Sequence, residues 1–347
     1  MQKIDSLQSL RGIAFLGVFG VHAGLMAYPW AAASVSVFFI LSGFLLSVRY
    51  KDSPACHAGP AGACLFAVTK IRRIYCLHII TMLLAAALLY YRNASLEPLL
   101  WQVLLNICLL QTLVPDVQTG ISLNGTAWYL SVTMLLYMLF PLLHGWLSGR
   151  KSGRQAVLAM AVIIACQLGA AWAVLEIGGK DDFFLWFTYL CPFFRAGDFA
   201  CGILLGNMYC NGSRIGGNRA ADALFVLVAA MYLWIAIFLP GEHSGTASRL
   251  LANWTTVMIA PGMLLVYLFA DIHGFLCRML HNRLFLYLGN ISAYTYLIHF
   301  VVIMYFDAFI KAYHIQLAGC VTALASLLIS VLLAELYCSI QGRGGQR

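Results

Sequence analysis

The strongest constraint on this chain is its repeated return to uncharged apolar runs of membrane length. A helix needs about 20 apolar residues to cross the hydrocarbon of a bilayer, within a range of about 17–25. Such runs recur from end to end, near residues 12–28, 33–48, 74–91, 126–147, 155–175, 187–208, 220–239, 252–270, 285–307 and 314–338. The composition agrees: 62% of the 347 residues are hydrophobic and only 10% are charged, against about a quarter charged in a soluble domain. The intervals between runs leave no room for a separate soluble domain, so residues 1–347 read as a single membrane domain. The expected fold is an all-α integral membrane protein, a polytopic bundle of about ten transmembrane helices in the cell membrane. The polar His22 inside the first run, with a second run at once behind it, argues against a cleaved signal peptide ending at the "AAA" of residues 31–33.

One further stretch, "LEPLLWQVLLNICLLQTLVP" (96–115), is apolar but broken by Glu97, Pro98, Gln102, Asn106 and Gln111. Charge decides whether it crosses. With ten spans and a cytoplasmic N-terminus, 16 of the 21 Lys and Arg residues fall on the cytoplasmic side. An eleventh span would send "GRKSGR" (149–154) and every later basic loop outside, against the positive-inside rule. Both termini are therefore expected to be cytoplasmic, with 96–115 lying on or dipping into the outer face. The net charge of +8 reads as this topology signal and not as a nucleic-acid footprint. The eleven cysteines are odd in number and form no CxxC, so they read as packing residues, not a disulfide framework or metal site.

Ionisable groups at membrane depth cost several kcal/mol, about 2.5–3.5 on insertion scales, so each is a functional candidate. The competing explanation is a structural hydrogen bond between helices. Arg11 and His22 are eleven residues apart, three turns plus about 20°, which puts them on one face roughly 16 Å apart along the axis. Arg11 then stands at the cytoplasmic boundary and His22 beyond the middle of the membrane. Structurally, Arg11 is a snorkelling anchor and His22 a neutral packing residue. Lys70, Arg72 and Arg73, at the cytoplasmic mouth of the third run, suit a polyanion such as a nucleotide phosphate, or serve as topology anchors. Arg195 and Asp198 are i, i+3 and suit an ion pair, with Gly202 and Gly206 continuing the stripe as a close-packing face. Ser42 and Gly43 read as packing residues of the second run. Ser292, Tyr296 and His299 share a face, so His299 either lines a cavity or packs. The chain has no Walker loop, HExxH, GxSxG or Rossmann fingerprint, and no internal repeat of the kind inverted-repeat transporters carry.

At these residues the chain resembles the acyltransferase-3 family of integral membrane acyltransferases. The blocks that carry the likeness occur in order: "SLQSLRGIAFLGVFGVH" with Arg11 and His22, "VSVFFILSGFLL", "KIRRIYCLH", "WYLSVTMLLYMLFPLL", "RAGDFACGILLG" and "LGNISAYTYLIH". Three positions depart from the family pattern: Ser34 for a glycine, Cys76 for a proline and Thr133 for a glutamate.

The resemblance implies transfer of an acyl group, acetyl in the usual case, from cytoplasmic acyl-CoA to a hydroxyl of a cell-surface glycan or lipid-linked sugar. No permanently bound cofactor or metal is implied. Arg11, Lys70, Arg72 and Arg73 would bind the CoA phosphates. His22 would act as general base on the acceptor or carry the acyl group itself, roles that suit an imidazole titrating near neutral pH. Trp128, Arg195, Asp198 and His299 would serve the acceptor side. Two other classes stand beside this one: a sugar or lipid transporter or flippase with a proton-linked Arg11–His22 gate, and a catalytically inert membrane scaffold.

Overall fold

The computed structural model describes residues 4–51, 59–93, 97–147, 153–177, 181–213, 217–238, 254–271 and 274–344, and every regular element among them is helical. The longer helices are α1 (Asp5–His22), α2 (Tyr28–Arg49), α3 (Pro60–Asn93), α4 (Glu97–Ile107), α5 (Trp128–Leu147), α6 (Gly153–Glu176), α7 (Pro192–Cys210), α8 (Asn218–Phe238), α9 (Ile259–Asp271), α10 (Arg283–Ala312) and α11 (Gly319–Gly344). Of the cations counted for topology, Lys3, Arg150, Lys151, Lys180, Arg214, Arg249 and Arg347 lie outside the described residues.

Among the described residues, six helical segments are long and apolar enough to cross a membrane: α2, α3, Gly125–Leu147, α6, α10 and α11. Others fall short for visible reasons. Asp5, Gln8 and Arg11 make α1 too polar, Arg195 and Asp198 do the same to α7, and α9 has only 13 residues. The expected runs therefore coincide with helices, but length and apolarity by themselves account for six spans.

Several runs break where local chemistry requires it. The run near 187–208 is a short helix (Asp181–Leu185), a π-turn (Trp186–Leu190) and then α7, with the chain extended at Cys191. Pro192 opens α7, and a proline both lacks an N–H and drives the preceding residue out of the helical region. The first run ends at His22, in the last turn of its helix. Beyond it Gly24 adopts φ +71°, and the N–H groups of Leu25 and Met26 fold back onto the Gly20 carbonyl. Within the 96–115 stretch, the described residues 97–115 form an 11-residue helix, Glu97–Ile107, followed by a 3₁₀ turn at Gln111–Leu113. Eleven residues reach about 16 Å, roughly half the hydrocarbon thickness.

The apolar window of α2 is 89% buried, so this helix, hydrophobic all round, is the centre of the bundle. The corresponding windows of α6 and α11 are only 17% and 22% buried, which makes them outer helices. Two backbone contacts fix the interior. Helix α1 packs on α10, where a Cβ on Gly12 would meet the Phe285 carbonyl and one on Gly289 would meet the Gln8 carbonyl. Helix α2 packs on α7, where a Cβ on Gly43 would meet the Phe199 carbonyl and one on Gly202 the Ile40 carbonyl. Helices associating in lipid gain their contact from such small residues. The first of these contacts brings the two candidate histidines side by side.

Candidate active site

His22, at the C-terminal end of α1, and His299, on the inner face of α10, form a direct pair. His22 Nδ1 lies 2.9 Å from His299 Nε2, with the rings nearly stacked at a centroid distance of 5.2 Å. His299 is fully buried and its Nδ1 lies 3.2 Å from the Thr295 carbonyl. A carbonyl only accepts, so a neutral His299 carries its proton on Nδ1 and presents Nε2 as an acceptor. His22 then donates from its own Nδ1. The tautomers assigned by this network leave His22 Nε2 with a free lone pair on a half-buried ring. Phe15, Phe19 and Tyr296 pack around His299, and Phe300 meets His22 edge-on at 5.3 Å.

Three turns back along α1, Arg11 faces a polar cavity of about 340 Å³. Lys70 and Arg73 of α3 stand on its wall with Arg11. They are i, i+3 and share a helix face, whereas Arg72, about 100° round the helix from Arg73, does not line the cavity. The structure thus brings together three of the four cations expected to hold phosphate. Lys70 also donates to the Tyr50 hydroxyl and lies over the Tyr50 ring, 4.6 Å from its centroid. A smaller cavity of about 60 Å³ shares Arg11, Phe38 and Tyr129 with the first and extends along α10 to Ser292 and Tyr296. The Tyr296 ring packs on His299 with centroids 5.8 Å apart, so the far wall of the smaller cavity abuts the histidine pair.

Thr133 lines the larger cavity. Its hydroxyl is buried and has no hydrogen-bond partner among the described residues, although Tyr129 is close by. Tyr129, Thr133 and Tyr137 form an i, i+4, i+8 stripe on α5 that faces Arg11. The "YLSVTMLLY" segment carries that signal, but sequence reasoning singled out only Thr133. Ser42, Asn290 and Tyr294 complete the polar wall.

The remaining expected residues sit elsewhere. Arg195 and Asp198 are fully buried and form an ion pair of 2.7 Å. Arg195 also donates to Ser36 Oγ at 3.1 Å and stacks on Phe39, so the pair cross-links α7 to α2. Arg195 Nε and Nη1 have no partner among the described residues. Trp128 is 5% exposed, packed on Tyr189 at 4.7 Å and next to Tyr129 in sequence.

The described helices thus carry a cationic cavity beside Arg11 and a histidine pair at the other end of α1, in a bundle with several helices apolar enough to cross a membrane. The acyltransferase-3 family model, described as an acyltransferase domain, matches residues 4–335, and the chain belongs to that family. It is also similar to acyltransferase MdmB of Streptomyces mycarofaciens, 28% identical over 335 residues that cover 87% of this chain and 80% of that protein. No solved structure matches the chain.

Proposed function

We propose that this membrane acyltransferase transfers an acetyl group from cytoplasmic acetyl-CoA to a hydroxyl of a cell-surface glycan or lipid-linked sugar. The observation that carries this reading is the His22–His299 pair at the far end of α1 from the Arg11, Lys70 and Arg73 cavity. The donor's phosphates bind those three cations, and its pantetheine arm runs along α10 past Tyr129 and Tyr296. The thioester carbonyl arrives beside His22 Nε2. The acceptor O–H gives its proton to His22 Nε2 as the oxygen attacks that carbonyl. The C–S bond breaks, and the departing CoA sulfur takes the proton back from His22. His299 holds the His22 tautomer throughout. Trp128 forms part of the acceptor wall, and the Arg195–Asp198 pair holds α2 and α7 behind it.

Ten spans with both termini cytoplasmic, in the cell membrane, fit this polarity, since they put the cationic cavity on the side where CoA resides. Family membership favours transfer over the gated-transporter reading. The test is thioester consumption: purified protein given labelled acetyl-CoA and a lipid-linked sugar extract is expected to release free CoA and label the sugar fraction. Uptake or flipping of sugar with no CoA release would overturn the proposal.

A further inference from the structure

Three successive carbonyls of α10, in the turn that leads to His299, each face a side-chain donor. The Thr295 carbonyl faces His299 Nδ1 at 3.2 Å, the Tyr296 carbonyl faces Thr126 Oγ1 at 3.1 Å, and the Leu297 carbonyl accepts from Asn124 Nδ2 at 2.9 Å. A helix carbonyl has a second lone pair beyond its i+4 bond, and here three in a row are engaged. The first donor is the histidine itself. The other two come from the segment that enters α5.

That segment is built to hold its place. Leu123 has φ +61°, a left-handed conformation that leucine rarely takes, and the strain is held by the polar side chains on either side. Asn124 and Thr126 are both 1% exposed. The second amide hydrogen of Asn124 goes to Thr81 Oγ1 of α3 at 3.1 Å. Thr126 Oγ1 is 3.0 Å from Asn124 Oδ1, so its one proton is shared between that oxygen and the Tyr296 carbonyl. Ser122 accepts from Asn106 and donates to the Thr119 carbonyl, tying the segment to α4. Between the two donors, a Cβ on Gly125 would lie 2.9 Å from the Phe300 ring, and that ring packs against His22.

We propose that Asn124, Gly125 and Thr126 are positioning residues for the histidine pair. Asn124 and Thr126 lock the α10 turn that carries His299, which sets the tautomer and ring angle of His22. Gly125 leaves the space in which Phe300 seats against His22. This inference rests on the reading of His22 as the base.

The test pairs Thr126→Val, which keeps the shape and loses the donor, with Thr126→Ser, which keeps the donor. Asn124→Ala and Gly125→Ala accompany them. Two readouts are taken on folded, purified protein: steady-state acetyl transfer, and the ¹⁵N resonances of labelled histidine, which distinguish Nδ1–H from Nε2–H tautomers. Thr126→Val, Asn124→Ala and Gly125→Ala are expected to lower kcat about tenfold or more with the acetyl-CoA KM unchanged. The Nδ1–H signature of His22 and His299 becomes mixed, and Thr126→Ser restores both. A Thr126→Val protein that melts earlier but keeps wild-type kcat and unmixed histidine tautomers would overturn the proposal. The spectroscopic readout needs no turnover. Retained activity in His22→Ala would therefore sink the catalytic reading alone, while unchanged tautomers would sink the positioning role alone.

Discussion

His22 and His299 sit 2.9 Å apart, nitrogen to nitrogen, on two helices whose backbones touch at Gly12 and Gly289. In the proposed mechanism, His299 orients His22 as the base, which one histidine on an apolar helix could not do for itself. His299→Leu removes the acceptor for His22 Nδ1 and frees its tautomer. Acetyl transfer is expected to fall by about 10²-fold or more, in the range typical of lost general-base catalysis. His299→Leu with wild-type kcat would show that the pair is only packing.

The cation cavity makes a selective prediction. Arg11→Ala, Lys70→Ala and Arg73→Ala each remove a charge from its wall and should raise the acetyl-CoA KM about 10- to 100-fold, the worth of one charge-assisted hydrogen bond. Arg72→Ala, off the cavity wall, should change it less than about twofold. The KM values of these four variants, measured with one donor, separate a phosphate site from a row of topology anchors. An equal effect at Arg72 would favour the anchors.

The glycine contact between α1 and α10 tolerates no side chain. Gly289→Val drives two methyl groups into the Gln8 backbone, which cannot rotate away as a side chain could. The cost is expected to exceed the usual overpacking range of about 1–3 kcal/mol. Thermal unfolding in detergent and the yield of folded protein both report it.

Arg195 and Asp198 were expected on the acceptor side, and the structure has them cross-linking α2 and α7. Asp198→Ala leaves a buried guanidinium unpaired and should cost about 3–5 kcal/mol of stability. The double variant Arg195→Met, Asp198→Leu should recover most of that loss. If the recovered protein transfers acetyl normally, the pair is structural. If it folds but has lost turnover, the pair also touches the acceptor.

Asp116 lies outside the spanning segments and caps the turn at Val117–Gly120, accepting the Thr119 N–H at 2.6 Å. Hydrogen bonds from the Thr119 side chain and then from its backbone N–H hold the carboxyl below the ordinary aspartate value. A folded pKa below the unfolded one stabilises fully above about pH 3.9 and stops doing so as pH falls through the lowered value. Asp116→Ala should therefore lower the melting temperature slightly at neutral pH and not at all at the acid end. Exposure keeps the neutral-pH effect near the lower limit for a helix cap, about 0.5 kcal/mol.

Much of this was legible in the sequence because helix periodicity is a local property. Three turns between Arg11 and His22, the i, i+3 pairing of Lys70 with Arg73, and the Gly202 and Gly206 stripe follow from 100° per residue. Helical positions for the expected spans follow from apolarity, although Pro192 and Gly24 cut two runs where chain chemistry overrides it. The meeting of His22 with His299 was not legible, because it depends on α1 crossing α10 at Gly12 and Gly289, a contact between residues far apart in the chain. The same holds for Asn124 and Thr126, ordinary loop polar residues until α10 is seen beneath them. Arg72 is the one of the four grouped cations that does not line the cavity, since adjacency in sequence puts it about 100° round the helix from Arg73.

The most direct measurement is CoA release from labelled acetyl-CoA by wild type and His22→Ala, both reconstituted in vesicles and both shown to bind donor. Wild type should release CoA in step with labelling of the sugar acceptor. His22→Ala should bind acetyl-CoA as well as wild type and transfer at least about 10²-fold more slowly. Equal transfer by the two proteins would contradict the assignment of His22 as the base.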